Sequence, residues 1–139
     1  MVDAVRVHQI GGPEVLRFEE VALAPPGPGE VRVRQTAVGV NFIDVYFRTG
    51  LYPAELPFVL GNEAAGVVES VGEGVRDLHP GSRIAYTAAL GCYASARNMP
   101  ADRVVPLPDS IDEVTAAGMM LKGMTAWYLL RRTFKVGPQ

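Results

Sequence analysis

Side chains that bind metals or form disulfides are scarce in this 139-residue sequence, which has one cysteine, Cys92, and two histidines, His8 and His79. A lone cysteine excludes an intrachain disulfide and fits a reducing compartment, so a cytoplasmic location is expected. A structural zinc site takes roughly four Cys/His-type ligands and a catalytic one about three. Cys92, His8 and His79 do not supply such a set, and no metal site is expected. An excess of either charge is also missing. Thirteen Lys+Arg against fifteen Asp+Glu give a formal charge of -2 with the signs interspersed, which removes the basic footprint of a nucleic-acid binder. Long apolar runs are absent too. The longest charge-free stretch, 84–96, falls short of the ~20 residues of a membrane span, and Met1-Val2-Asp3-Ala4-Val5-Arg6 does not open a signal peptide. Neither nucleic acid nor membrane is an expected partner.

What is present is a chain of one domain's length, 48% hydrophobic and 20% charged, punctuated by 15 Gly and 11 Pro. That composition suits a globular domain with a single core. Through about residue 110 the pattern is short strands between Gly/Pro turns. Glu30-Val31-Arg32-Val33-Arg34 alternates strictly after Pro25-Pro26-Gly27-Pro28-Gly29, the mark of a half-buried strand following a turn. Further strands are read at 65–71 and 84–87, with Gly72-Glu73-Gly74 as a hairpin turn. The expected fold is mostly β with short helices, its antiparallel sheet closed or rolled. Beyond Leu107-Pro108-Asp109-Ser110, Ser110 and Glu113 form a capping-box pattern that predicts a short helix over 112–119. A second helix is expected over 124–133, with Trp127, Leu130 and Phe134 on one face and Arg131, Arg132 and Lys135 near its negative end. The closing Val136-Gly137-Pro138-Gln139 reads as a connection to a further element.

Few residues point to chemistry. His8 reads as a strand residue and His79 as a turn residue. Cys92 lacks a base that would lower its pKa and reads as apolar packing. Gly72-Glu73-Gly74-Val75-Arg76-Asp77 lacks the third glycine of a dinucleotide fingerprint, and neither a P-loop nor a Gly-x-Ser-x-Gly elbow occurs. Asn41-Phe42-Ile43-Asp44-Val45-Tyr46, with Arg48, Gly50 and Leu51-Tyr52-Pro53, is amphipathic enough for a helical turn. Tyr46 and Tyr52 would suit a planar aromatic ligand, or serve equally as rim or core residues. Glu63, between small residues in Gly61-Asn62-Glu63-Ala64-Ala65-Gly66, either holds backbone amides or belongs to a site.

Taken together, Gly11-Gly12-Pro13-Glu14-Val15-Leu16, Gly39-Val40-Asn41-Phe42-Ile43-Asp44, the run from Tyr46 to Pro53, Gly61-Asn62-Glu63-Ala64-Ala65-Gly66 and Leu121-Lys122-Gly123-Met124-Thr125-Ala126 resemble the zeta-crystallin-like quinone oxidoreductases. These are zinc-free members of the medium-chain dehydrogenase/reductase superfamily. In zinc-dependent relatives the position of Asn41 is a ligating cysteine and that of Asn62 a histidine, so the ligands themselves differ here. The resemblance implies a GroES-like β-roll or partly open barrel (1–122), then a linking helix (123–139) leading to a Rossmann domain that this chain lacks. That domain carries the family's Ala-Ala-Gly-Gly-Val-Gly phosphate loop, so the chain alone is not expected to bind NADPH tightly or to be catalytically competent. NADPH is the implied cofactor and a quinone the implied substrate.

The resemblance also assigns residues. Asn41, Phe42, Asp44, Tyr46, Thr125 and Tyr128 are the expected cofactor contacts, and Tyr46 and Tyr52 the expected catalytic side chains. Those tyrosines would donate to the developing quinol oxygen, or else only shape the pocket. The full-length family member is expected to be a homodimer, and this chain to self-associate through Met124, Trp127 and Leu130. Two other readings stand beside this one: reduction of an enone or alkenal double bond, and a non-catalytic GroES-like binding module of the kind that builds co-chaperonin rings.

Overall fold

The computed structural model describes residues 1–88, 90–134 and 137. Lys135, Val136, Pro138 and Gln139, to which a helix-end charge and a connection were assigned above, lie outside the described residues. Among the described residues eight strands form two antiparallel sheets. A three-stranded sheet has the order β2 (Leu16–Val21), β1 (Val2–Val7), β4 (Phe58–Val59). A five-stranded sheet has the order β7 (Ala96–Pro100), β3 (Glu30–Gly39), β5 (Glu63–Val71), β6 (Arg83–Thr87), β8 (Val105–Pro106). Among the described residues no parallel pair occurs, so the βαβ crossovers of a dinucleotide-binding sheet are not in this fold.

The alternation at 30–34 does build a strand. Val31 and Val33 are fully buried in the main core, with Val68, Ile84, Tyr86, Cys92 and Met99. β3 then continues to Gly39, and its register against β5 shifts twice, between Arg32 and Val33 and between Gln35 and Ala37. Such bulges bend a strand and raise its twist, which lets one long strand curve into a roll. A second cluster, Val7, Val15, Phe58 and Leu60, fastens the smaller sheet, with Phe47 of the helix α1 (Phe42–Arg48) packed against it.

Three local expectations are corrected. Gly72-Glu73-Gly74 is no tight hairpin, because β5 ends at Val71 and β6 begins only at Arg83. Instead Gly72 N–H donates to the Glu30 carbonyl at 2.7 Å, and a Cβ there would stand 1.8 Å from the Gly27 carbonyl oxygen. Two loops meet backbone to backbone, and only glycine fits. The helix cap is Asp112 rather than Ser110. Its carboxylate accepts from the Thr115 N–H and hydroxyl, each at 2.8 Å, while Glu113 pairs with Arg83 at 2.8 Å instead of reaching back. His8 stands just past the end of β1 and pairs with Glu19 at 3.0 Å.

The two helices expected over 112–119 and 124–133 are one helix, α2 (Glu113–Tyr128), widening into a π-turn at Leu129–Thr133. Gly118 and Gly123 cost helix propensity of ~1 kcal/mol each, yet the helix is anchored on both sides of Gly118 and up to Leu121. Ala116 and Ala117 pack on Ala65 and Ala85, and the Leu121 N–H donates to the Glu63 carboxylate at 2.8 Å. Small side chains on both surfaces bring the helix close to the sheet. A Cβ on Gly39 would lie 2.2 Å from the Ala117 carbonyl oxygen. No helix among the described residues is long and apolar enough to cross a membrane.

Candidate functional site

β3 ends at Gly39, and after Val40 the backbone turns into α1. Asn41 is extended (φ -131°, ψ 152°) at the helix N-cap, and its N–H donates to Asp44 Oδ2 at 2.9 Å. Its side chain is spent in two directions. Nδ2 donates to Glu63 Oε2 at 2.7 Å, and Oδ1 accepts from Lys122 Nζ at 2.8 Å. Lys122 Nζ also stands 3.6 Å from Glu63 Oε2. Glu63 opens β5 with no exposed surface, and its other oxygen holds the Leu121 N–H. Carboxylate, amide and ammonium thus tie the first turn of α1, the start of β5 and the middle of α2 together.

Asn41, Phe42 and Thr125 come together along an open groove of about 550 Å3 between α1 and α2, whose walls include Ile43, Leu121 and Lys122. Phe42 is 71% exposed there. The Thr125 hydroxyl donates back to the Leu121 carbonyl at 2.7 Å. Tyr46 and Tyr52 lie along an aromatic ladder. Phe42 meets Tyr46 edge-on at 5.3 Å, Tyr46 meets Tyr52 at 5.3 Å and 56°, and Tyr52 meets Phe47 edge-on at 5.7 Å. The Tyr52 N–H fixes the ladder by donating to the Tyr46 carbonyl at 3.1 Å.

The remaining two expected site residues sit apart from that groove. Asp44 is buried, and its Oδ2 accepts from Tyr93 Oη at 2.7 Å, while Oδ1 has no hydrogen-bond partner among the described residues. Burial raises the Tyr93 hydroxyl above its ordinary pKa, and the adjacent Asp44 carboxylate adds to the rise. Tyr128 lies in the row next to Thr125 on α2 and lines an apolar surface with Met119, Met124 and Trp127 instead. Glu63 holds a backbone amide, as one of its two expected readings had it, whereas Lys122 carries no role that the sequence alone assigned to it. A signal did exist, since Lys122 is one of two lysines in a chain with eleven arginines.

Cys92 is buried beside Arg97, whose Nη1 is 3.7 Å from its sulfur, and burial pushes the thiol up to about 11. Asn62 Nδ2 donates to the Ala88 carbonyl at 3.0 Å. No group of three or more His, Cys, Asp or Glu is placed to hold a metal ion among the described residues.

Residues 27–109 match the family described as the alcohol dehydrogenase GroES-like domain. The chain belongs to that family. Within it, this GroES-like domain is similar to a quinone oxidoreductase of Salmonella typhimurium, 47% identical over 99% of the chain and 43% of the relative. It is 48% identical to a 2-haloacrylate reductase of Burkholderia over 99% of the chain and 44% of that protein. The crystal structure of Escherichia coli quinone oxidoreductase complexed with NADPH superposes with a TM-score of 0.95 at 46% identity, covering 98% of this chain and 42% of that one. The GroES-like domain described here therefore spans less than half the length of the curated relatives it matches.

Proposed function

We propose that this chain is the substrate-side domain of an NADPH-dependent quinone oxidoreductase, with residues 1–122 as that domain and 123–139 as the link to a cofactor-binding domain. One observation carries the reading: 46–47% identity to quinone oxidoreductases, one of them solved with NADPH, across practically the whole chain. The groove between α1 and α2 fits the ring end of such a cofactor. It offers an apolar wall for a flat ring beside the Asn41 amide and the Lys122 ammonium. The phosphates fit less well, because Gly72 and Gly74 are used in a loop-to-loop contact and a turn rather than at a helix N-terminus. Bound NADPH supplies the hydride; the chain's residues orient the reacting rings and exclude water. Tyr46 and Tyr52 are the proposed donors to the oxygen that gains charge as the acceptor is reduced. Asp44, buried in the first turn of α1, holds the Asn41 N–H and the Tyr93 hydroxyl and so fixes the helix start.

Zinc has no part in the proposal. The Asn41 amide is committed to Glu63 and Lys122, Asn62 Nδ2 to a backbone carbonyl, and Cys92 to the core. A second reading, reduction of an activated carbon–carbon double bond, is favoured by the 48% identity to a 2-haloacrylate reductase. A cytoplasmic, homodimeric full-length protein completes the proposal.

The test is the intact mass of the protein from its native source, followed by NADPH oxidation with duroquinone and with 2-chloroacrylate. A mass more than twice 14.9 kDa, with turnover of duroquinone, is expected. Turnover of 2-chloroacrylate alone would move the assignment to the second reading. A native mass of 14.9 kDa with no NADPH binding would refute both and favour the non-catalytic GroES-like module.

A further inference from the structure

We infer that Lys122 is a ligand-binding residue of the α1–α2 groove, its ammonium fixed by Asn41 and Glu63 so that it donates a hydrogen bond to a carbonyl oxygen on a planar ring. The inference rests on the oxidoreductase reading and deepens it. Counting donors isolates the residue. The groove's polar side chains are Asn41, Lys122 and Thr125. The Thr125 hydroxyl is used on the Leu121 carbonyl, and the Asn41 amide donates to Glu63 and accepts from Lys122. An ammonium has three protons. One is placed on Asn41 Oδ1 at 2.8 Å and a second faces Glu63 Oε2 at 3.6 Å. The third has no partner among the described residues, on a side chain 58% exposed along the groove.

The anchoring also argues for a binding role. A surface lysine ordinarily keeps its rotamer freedom, and fixing it on a ligand costs up to ~2 kcal/mol. Here the head group is already held by a fully buried carboxylate, itself locked by the Leu121 N–H, so much of that ordering precedes binding. The Glu63 charge opposes the ammonium at short range, which leaves little net field for a phosphate. The unspent proton instead suits a neutral acceptor, and the neighbouring Phe42 and Leu121 suit a flat ring. A nicotinamide carboxamide and a quinone ring both present such a carbonyl.

The two lysines of the chain, Lys122 and Lys135, allow a direct readout. The chain is made with 13C-labelled lysine, its two side-chain signals are assigned with Lys135→Arg, and NADPH and duroquinone are titrated separately while binding is followed by Trp127 fluorescence. The expected result is a saturable shift of the Lys122 Cε signal with one of the two, which names the source of the carbonyl. Lys122→Met should weaken that ligand about tenfold, the value of one charged hydrogen bond, and Lys122→Arg should keep most of the affinity. Binding with an unmoved Lys122 signal and unchanged affinity of Lys122→Met would overturn the assignment while leaving the oxidoreductase reading standing. If neither ligand binds even at millimolar concentration, the assignment of Lys122 is overturned while the oxidoreductase reading stands, since the resemblance implies that this chain alone does not bind NADPH tightly. The wild-type signal decides between these outcomes even if Lys122→Met does not fold.

Discussion

Replacing Glu63 by glutamine tests whether the buried triad is wired as described. In the native chain both carboxylate oxygens accept, Oε1 from the Leu121 N–H and Oε2 from Asn41 Nδ2, with Lys122 nearby. The glutamine amide can offer only one acceptor. If its oxygen stays on Leu121, its NH2 faces the Asn41 NH2, and turning the Asn41 amide would put NH2 against the Lys122 ammonium. One buried donor is therefore left unpaired, at about 1–3 kcal/mol, and the bond to Leu121 loses its charge assistance, at roughly 1 kcal/mol. The ion pair adds little because Lys122 is more than half exposed. A total near ~3 kcal/mol follows, which in urea, with a slope of about 2 kcal/mol/M, lowers the midpoint by about 1.5 M. Asn41→Asp alone sets a carboxylate oxygen where Asn41 Nδ2 stood, 2.7 Å from Glu63 Oε2, and is destabilising by like charge. Combined, the two changes restore the pairings with Leu121, with Lys122 and between positions 41 and 63, since the introduced carboxylate would accept from both Lys122 and the introduced amide; only the long 3.5 Å bond from Asn41 Nδ2 to the Gly39 carbonyl is lost. The double variant should recover at least half of the Glu63→Gln loss. Simple addition of the two single losses, to within about 0.5 kcal/mol, would refute the wiring.

The packing sets four further outcomes. Gly39→Ala should unfold the chain or lower its stability by more than about 3 kcal/mol, because the added Cβ meets the Ala117 carbonyl at 2.2 Å and Glu63 Oε2 at 2.4 Å. Gly118→Ala, with nothing within 4 Å, should stabilise by about 0.5–1 kcal/mol, and calorimetry of both variants checks the opposite signs. The Cys92 thiol, raised by burial from an ordinary 9.0 to about 11, keeps its proton in the folded chain at pH values where the unfolded chain has lost it. Its contribution is complete below pH 9 and is lost as pH rises to 11, so Cys92→Ala should show a shallower fall of urea stability over that window than wild type. The exposed row of Met124, Trp127 and Leu130 should drive association that Trp127→Asp abolishes in sedimentation; equal sedimentation of the two proteins counts against it.

How much could be read from the sequence depended on whether a feature is local. Val31 and Val33 announce their burial by simple alternation, and the helical turn at Asn41 follows from its amphipathic neighbours. The hairpin assigned to Gly72 and Gly74 failed because the same glycines that permit a tight turn also permit close backbone approach, and only the Gly27 loop beside them decides between the two. The cap fell on Asp112 because Arg83 captures Glu113 across the fold, which withdraws the partner Ser110 would need. The gap expected between two helices closed for the same kind of reason, a carboxylate from β5 bonding the helix at Leu121. Thr125 and Tyr128 stand three positions apart on the helix, yet Thr125 lines the groove beside α1 and Tyr128 the apolar surface with Met124 and Trp127, so the residues assigned together by resemblance divide between two grooves. Lys122 gave no local sign of its partners, since only the folded topology brings Asn41, Glu63 and Lys122 within reach of one another.

Stability and site are coupled here by the distance between α2 and the larger sheet. Ala65, Ala85, Ala116 and Ala117, with Gly39 opposite the Ala117 carbonyl, set that distance by having almost no side chain. Were the helix held off by even one methylene, Glu63 could not reach the Leu121 N–H at 2.8 Å while also holding Asn41 at 2.7 Å. The buried carboxylate would then lack the bonds that make its burial tolerable. The same spacing places the Lys122 ammonium at the groove, beside the Asn41 amide. A substitution that only thickens this alanine contact, such as Ala117→Val, touches no groove residue, yet it should lower stability and release the Lys122 signal toward that of a free lysine side chain. Loss of stability with the Lys122 signal unchanged would show that the contact and the groove are independent.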